Sequence, residues 1–329
     1  MRGEWLYEDG IAEERAILVD GGTILAARID WGEGLAPGLV ADARLVAKRA
    51  GAKRGTARFG DGAEALVDAL PPSANEGDRL RLRVTRSAIG ERGRLKLAQA
   101  RPAPGESPRP APTLLEGLQA GGRPVHRVSP FGDDFARHGW DDLIEEALSG
   151  TAVFPGGSLT IVATPAMTLI DVDGEQGPRA LALAAVPAIV ASLGRLDLAG
   201  SIGIDFPSLA DKRDRQAVDV ALGQALAGWR GERTAMNGFG FVQLVSRLER
   251  PSLLARLSRP AEAGARMLLR RAERVSAPGA IELVAHPAVR RAVRDEWSAE
   301  LARRTGRALA WREDPGLALS AGSAQAVAR

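Results

Sequence analysis

Three aspartates close two short strand-like runs near the middle of this chain: AMTLIDVD carries Asp171 and Asp173, and GSIGIDF carries Asp205. Successive side chains of a strand alternate between faces, so Asp171 and Asp173 point the same way. A third acid at the end of a neighbouring strand completes an oxygen-rich pocket. Mg²⁺ favours that ligand set, usually with one or two carboxylates, several waters and substrate phosphate. The same acids also read as strand-end residues facing solvent, and spacing alone leaves both readings open.

The elements that must hold these acids lie close by. A helix, DDLIEEAL, leads through a Gly turn into the strand GGSLTI. Between the two acid-bearing strands a helix is expected from about Arg179 to Leu193, with Pro187 kinking it or starting a new one, because proline lacks the N–H and clashes one turn back. Asp211 caps the next helix, whose Val218, Leu222, Ala225, Leu226 and Trp229 repeat at helical spacing as its buried stripe. MNGFGFVQLVSRLERPSL then reads as a strand closing the sheet, followed by a basic tail with Arg247 and Arg250.

At 329 residues the chain has room for two or three modules. Hydrophobic residues are 45% and aromatics 4%, so alanine and leucine fill the interior. A net charge of +3, with arginines clustered at Arg79, Arg81, Arg83 and Arg86 and again at Arg266, Arg270, Arg271 and Arg274, fits a polyanion partner without demanding one. There is no cysteine, which excludes disulfides and thiolate metal sites. No apolar run reaches the length of a membrane span and MRGEWLYEDG is too polar for a signal peptide, so a cytoplasmic location and no membrane partner are expected.

Residues Arg15 to Asp30 read as a hairpin across Asp20-Gly21-Gly22. Short alternating segments between Leu39 and Gln99 suggest a small barrel, and the Pro/Gly-rich stretch that follows suggests a linker. AIELVAHPAVRRAVRDEWSAELARRTGRALAWREDP reads as strand, helix and strand, with Gly306 as C-cap and a frayed tail after Gly316. His126 and His138 are read as structural residues.

LIDVD (Leu169 to Asp173), DLAG (Asp197 to Gly200) and IGIDF (Ile202 to Phe206) resemble, in order and spacing, the catalytic core of the bacterial ribonuclease E/G family. There a strand ending Ile-Asp-Val-Asn precedes a helix, an Asp-Leu-Gly-Gly turn and a strand ending Ile-Asp-Phe. The likeness runs upstream through WDDLIEEALSGTAVFPGGSLTI and downstream through FGFVQLVSRLERPSL. It implies a multidomain α+β chain: an N-terminal hairpin (1–38), an S1/OB-like RNA-binding β-barrel (39–100), a linker (101–125), a mixed α/β DNase I-like catalytic domain (126–258), a helical segment with a small αβ C-terminal domain (259–316) and a tail (317–329).

The resemblance implies Mg²⁺ held by Asp171 and Asp205, with Asp173 joining or positioning, and hydrolysis of single-stranded RNA to 5′-phosphate and 3′-hydroxyl ends. RNA contacts are expected from Phe59 and Arg92 on the barrel, from Lys212, Arg213 and Arg215 at the helix start, and from Arg247. Phe59 equally reads as barrel core.

The chain departs from the family in several places. Asp173 stands where the family has asparagine, and Ser208 where it has a second acid. About fifty residues separate the barrel from Gly150, too few for the family's module that senses the RNA 5′ end. The Cys-Pro-x-Cys segment is missing, which excludes a zinc-linked tetramer and leaves a metal-free homodimer open. Two functions therefore compete: a Mg²⁺-dependent endoribonuclease of RNA processing or decay, and a non-catalytic RNA-binding protein on a degenerate scaffold of this family.

Overall fold

A computed structural model describes residues 3–49, 51–91 and 94–328. Three antiparallel strands open the chain: β1 (Glu4–Gly10), β2 (Glu13–Asp20) and β3 (Thr23–Asp30). Gly21 and Gly22, both at positive φ, make the expected turn between β2 and β3. Strand β4 (Val40–Lys48), β5 (Gly55–Arg58), β6 (Glu64–Val67), β7 (Arg79–Arg86) and β10 (Ala98–Pro102) form a closed barrel, with a small hairpin of β8 (Ile89–Glu91) and β9 (Arg94–Lys96) between the last two. The barrel order is β4-β5-β6-β10-β7, and its pair β6–β10 is parallel. Alternating inward residues such as Leu45, Ala57, Val67, Leu82 and Ala100 fill it.

The stretch read as a linker is irregular from 103 to 113 but then forms α1 (Leu114–Ala120). Next come β11 (Val125–Arg127), parallel to β1, then α2 (Asp134–Arg137) and α3 (Trp140–Ser149). A second sheet of six strands has the order β12 (Thr151–Phe154), β13 (Gly157–Ala163), β14 (Thr168–Gly174), β15 (Ser201–Asp205), β17 (Phe241–Ser246), β16 (Gly231–Arg233). Its one parallel pair is β14–β15. That pair needs a crossover, supplied by α4 (Pro178–Arg195). Helix α5 (Lys212–Ala225) follows β15 and lies beside α4.

The remaining elements are α6 (Leu253–Leu257), α7 (Pro260–Glu273), β18 (Ala280–Ala285), α8 (Pro287–Ala292), α9 (Asp295–Thr305), β19 (Leu309–Glu313) and β20 (Ser323–Val327). The chain divides into two compact units that interleave along the sequence: 1–32, 114–142 and 256–329 in one, 33–113 and 143–255 in the other.

Three local expectations are corrected. Helix α4 continues through Pro187, so no new helix starts there. Burial of Leu181, Ala185, Val186, Ile189 and Leu193 along its length outweighs the one lost hydrogen bond. By length and composition α4 could also cross a membrane, but it packs against β12, β13 and β14 as a core helix. The residues after Gly316 are not a frayed tail: β20 pairs antiparallel with β18, the central strand of a three-stranded sheet.

The second arginine cluster is the third correction, because Arg266 and Arg270 are buried. Arg266 lies 4.0 Å from the Trp31 ring and 4.7 Å from that of Trp297, while Arg270 pairs with Glu8, Glu13 and Glu273. Guanidinium groups hold the core of this unit together there rather than meeting a polyanion.

Candidate active site

Strands β14 and β15 run in the same direction, and their register places Asp171 directly beside Asp205. Adjacent strands lie about 4.8 Å apart, and Asp173 sits about 6.6 Å further along β14 on the same face. The opposite face is the core side: Leu159, Ile161, Ile170, Val172, Ile202, Ile204, Val242 and Leu244 are all buried there. The acid-bearing face is open, and all three aspartates are exposed upon it. Thr160 and Ser158 are their neighbours on β13, and Phe241 is the neighbour of Asp205 on β17.

Local sequence explains this placement. LIDVD and IGID alternate apolar and polar residues, so burying the isoleucines and Val172 forces the aspartates outward. Gly203 is required because the Phe241 ring lies across it: an added Cβ would meet Phe241 Cζ at 2.5 Å and Leu169 Cδ2 at 3.0 Å. The ring is thereby folded away from Asp205. Gly203→Val is expected to destabilise the protein by about 1–3 kcal/mol through overpacking. Urea denaturation checks this, and an unchanged midpoint would refute the close packing.

Strand β15 ends at Asp205 and β14 one residue after Asp173, and α4 and α5 follow these strand ends in the chain. The α4 N-terminus comes after the turn at 175–177, and the α5 N-terminus after the loop at 206–211. Arg179 and Asp214 pair at 3.3 Å between the two helix starts. The carboxyl ends of strands with helix N-termini beside them are a general location for anionic ligands in α/β sheets.

Asp171, Asp173 and Asp205 make no ion pair with any cation among the described residues. The carboxyl of Asp171 is pushed above the ordinary value of 3.8 by partial loss of water first, then by the charges of Asp173 and Asp205, with the hydrogen bond that its protonated form donates to Asp173 adding to the rise and the one it accepts from the Val172 N–H opposing it. Such an uncompensated set fits a cation brought from outside. No three His, Asp or Glu groups among the described residues converge as a ready-made metal cage. Asp171 and Asp205 in direct register suit a hard ion that takes one or two carboxylates and keeps most of its waters, as Mg²⁺ does.

A raised carboxyl pKa means that the folded chain holds more protons than the unfolded one above pH 3.8, so stability falls as pH rises through that window. Asp171→Asn is expected to remove that fall and to raise the melting temperature slightly at pH 7, solvent screening keeping the gain small. Adding Mg²⁺ should stabilise the wild type and leave Asp171→Asn and Asp205→Asn unmoved. Thermal melts with and without Mg²⁺ test both points; equal Mg²⁺ stabilisation of all three proteins would remove the aspartates as ligands.

The sequence-expected RNA contacts fare differently. Lys212 and Arg213 are exposed on the first turn of α5, at the acid end of the sheet. Asp211 caps that helix as expected, accepting from the Arg213 N–H at 2.7 Å. Arg215 is turned inward: its guanidinium donates to the carbonyls of Leu209 and Ala210, holding the loop after Asp205.

Arg247 is exposed and pairs with Glu249 at 3.1 Å, but it follows the far end of β17. Six residues from Phe241 correspond to about 20 Å of strand, so the fold separates it from the acids. Phe59, expected on the RNA face, is only 5% exposed and belongs to the barrel core, so its ring cannot stack on a base. Arg92 lies outside the described residues.

One residue of this site has no counterpart among the sequence-based expectations. Phe239, between Gly238 and Gly240, is 85% exposed on the turn that leads into β17 beside Asp205. An aromatic set between two glycines was its only signal. Compared with known proteins, the chain matches no family model and no curated protein.

Proposed function

We propose that this chain is a Mg²⁺-dependent endoribonuclease specific for single strands, acting in RNA processing or decay in the cytoplasm. The observation that carries this reading is the row of three uncompensated aspartates on an open sheet face, at the carboxyl end of the parallel pair β14–β15. In this reading the six-stranded sheet with α4 and α5 is a DNase I-like nuclease domain. The closed barrel is its S1/OB-type RNA-binding module: five strands in a Greek-key arrangement are the form used to bind single-stranded nucleic acid. The β18–β20 sheet with its helices is the small αβ domain.

Each residue then has a task. Asp171 and Asp205 hold the ion, and Asp173, two residues further along β14 on the same face, joins or positions it. Lys212 and Arg213 attract the RNA backbone to the acid end. Arg215 fixes the loop between Asp205 and Lys212. Mg²⁺ bound at such a site activates a water as nucleophile and stabilises negative charge on a phosphodiester. The products are a 5′-phosphate and a 3′-hydroxyl.

A second reading, an RNA-binding protein without catalysis, is favoured by two observations. No three-ligand group converges among the described residues, and Ser208, in the loop after Asp205, supplies no further carboxylate. The deciding experiment is incubation of the purified protein with an end-labelled, AU-rich single-stranded RNA, in Mg²⁺ and in chelator. Cutting that requires Mg²⁺ supports the nuclease; binding without cutting by the wild type supports the second reading.

A further inference from the structure

The unit that carries the acids, 33–113 and 143–255, contains six aromatic residues: Phe59, Phe154, Phe206, Trp229, Phe239 and Phe241. Phe59, Phe154 and Phe206 are buried, and Phe241 lies over Gly203. Phe239 is different, at 85% exposure. A large apolar side chain in water forgoes roughly 1.5–3 kcal/mol of burial, which an ordinary turn residue would not.

The turn beneath it is tied down. The Asn237 side chain accepts from the N–H groups of Phe239 at 2.9 Å and Phe241 at 3.1 Å. Asn237 O accepts from the Gly240 N–H at 3.2 Å, and Gly240 O from the N–H of Phe206, the residue after Asp205, at 3.2 Å. Gly240 itself is at φ 89°, and a Cβ there would meet Phe206 O at 2.9 Å. The backbone under Phe239 is thus fixed to the strand end that carries Asp205, while its ring projects into solvent.

We propose that Phe239 is a stacking platform for a nucleobase of single-stranded RNA at the strand end that carries Asp205. Every base offers a π-face, so a solvated ring on a fixed turn, with Lys212 and Arg213 at the same end of the sheet, binds single strands with little sequence demand and excludes paired bases, whose faces are already stacked. The barrel cannot supply this contact through Phe59, whose ring is enclosed. The inference rests on the reading of the acid end as an RNA site, and it makes Phe239 a substrate-positioning residue there.

The test is fluorescence anisotropy of a labelled AU-rich RNA decamer, run in chelator so that nothing is cut. Phe239→Ala is expected to weaken binding about tenfold, within the range of one stacked base, and Phe239→Trp to retain it. Phe239→Leu should behave as Ala does, since it keeps apolar bulk without a π-face. Placing abasic sites one at a time along the decamer should reveal a position whose loss weakens wild-type binding but leaves Phe239→Ala binding unchanged, because the two partners of one contact do not add.

An exposed ring contributes little to folding, so melting temperatures should be equal across the set and report any misfolding. Equal affinity of wild type and Phe239→Ala overturns the proposal. So does a change in sedimentation on Phe239→Ala with RNA affinity unaltered, which would make the ring a contact between copies of the chain. Failure of the wild type to cut RNA in Mg²⁺ would count against the nuclease alone, since the stacking measurement requires no cleavage.

Discussion

Asp205→Asn is expected to lower Mg²⁺-dependent cleavage of a single-stranded RNA by about 10³-fold or more. A metal-held phosphodiester gains several kcal/mol of charge stabilisation, and about 4 kcal/mol corresponds to three decades in rate. Asn keeps the shape and a carbonyl oxygen but removes the charge, and no other residue on β15 offers a carboxylate on that face, where Gly203 and Ser201 are the neighbours. Asp171→Asn should match it, because Asp171 lies in direct register with Asp205 and both would contact one ion.

RNA binding in chelator should be unimpaired in both variants, and even somewhat tighter, since each removes a negative charge facing the phosphates. That split between cleavage and binding distinguishes ion ligands from residues that shape the surface. Cleavage by either variant within tenfold of wild type would refute the assignment.

The second large effect concerns stability of the other unit. Glu8 is buried, accepts from Arg15 Nε at 3.2 Å and Nη2 at 3.0 Å, and also pairs with Arg270. The Arg15 guanidinium is itself enclosed, 4.2 Å from the Phe135 ring and 4.9 Å from that of Trp140. Burial, and next the neighbouring charge of Arg270, lower its pKa to about 10.

Glu8→Ala would leave two buried guanidinium groups facing each other without the shared carboxylate. Losing one partner of a buried pair costs about 3–5 kcal/mol, against a total stability of about 5–15 kcal/mol for a typical domain. Urea unfolding followed by circular dichroism should show that loss. The double variant Glu8→Leu with Arg15→Met should recover part of it, because it removes the buried charge as well as its partner. A cost under 1 kcal/mol for Glu8→Ala would show that water reaches the cluster.

Much of the fold is legible in the order of the residues. The Gly21-Gly22 turn, the barrel between Leu39 and Gln99, the Asp211 cap and the Gly306 C-cap each depend on a few neighbouring residues, and each is present. That LIDVD and IGID each turn their aspartates outward follows from their alternation, since each strand buries isoleucine on one face. The fates of the arginines are not legible there. Arg213 and Arg215 are two apart on one helix, yet one is exposed and the other caps loop carbonyls.

Local chemistry written along the chain therefore determined the strands, the turns, the caps and the outward facing of the three aspartates. Tertiary structure alone decided that Asp171 and Asp205 share a register, that Arg247 stands about 20 Å away, that Phe59 is enclosed and that Phe239 is not. The reason is physical. Alternation and capping are satisfied within a few residues, whereas exposure and proximity depend on which distant segment fills the space alongside.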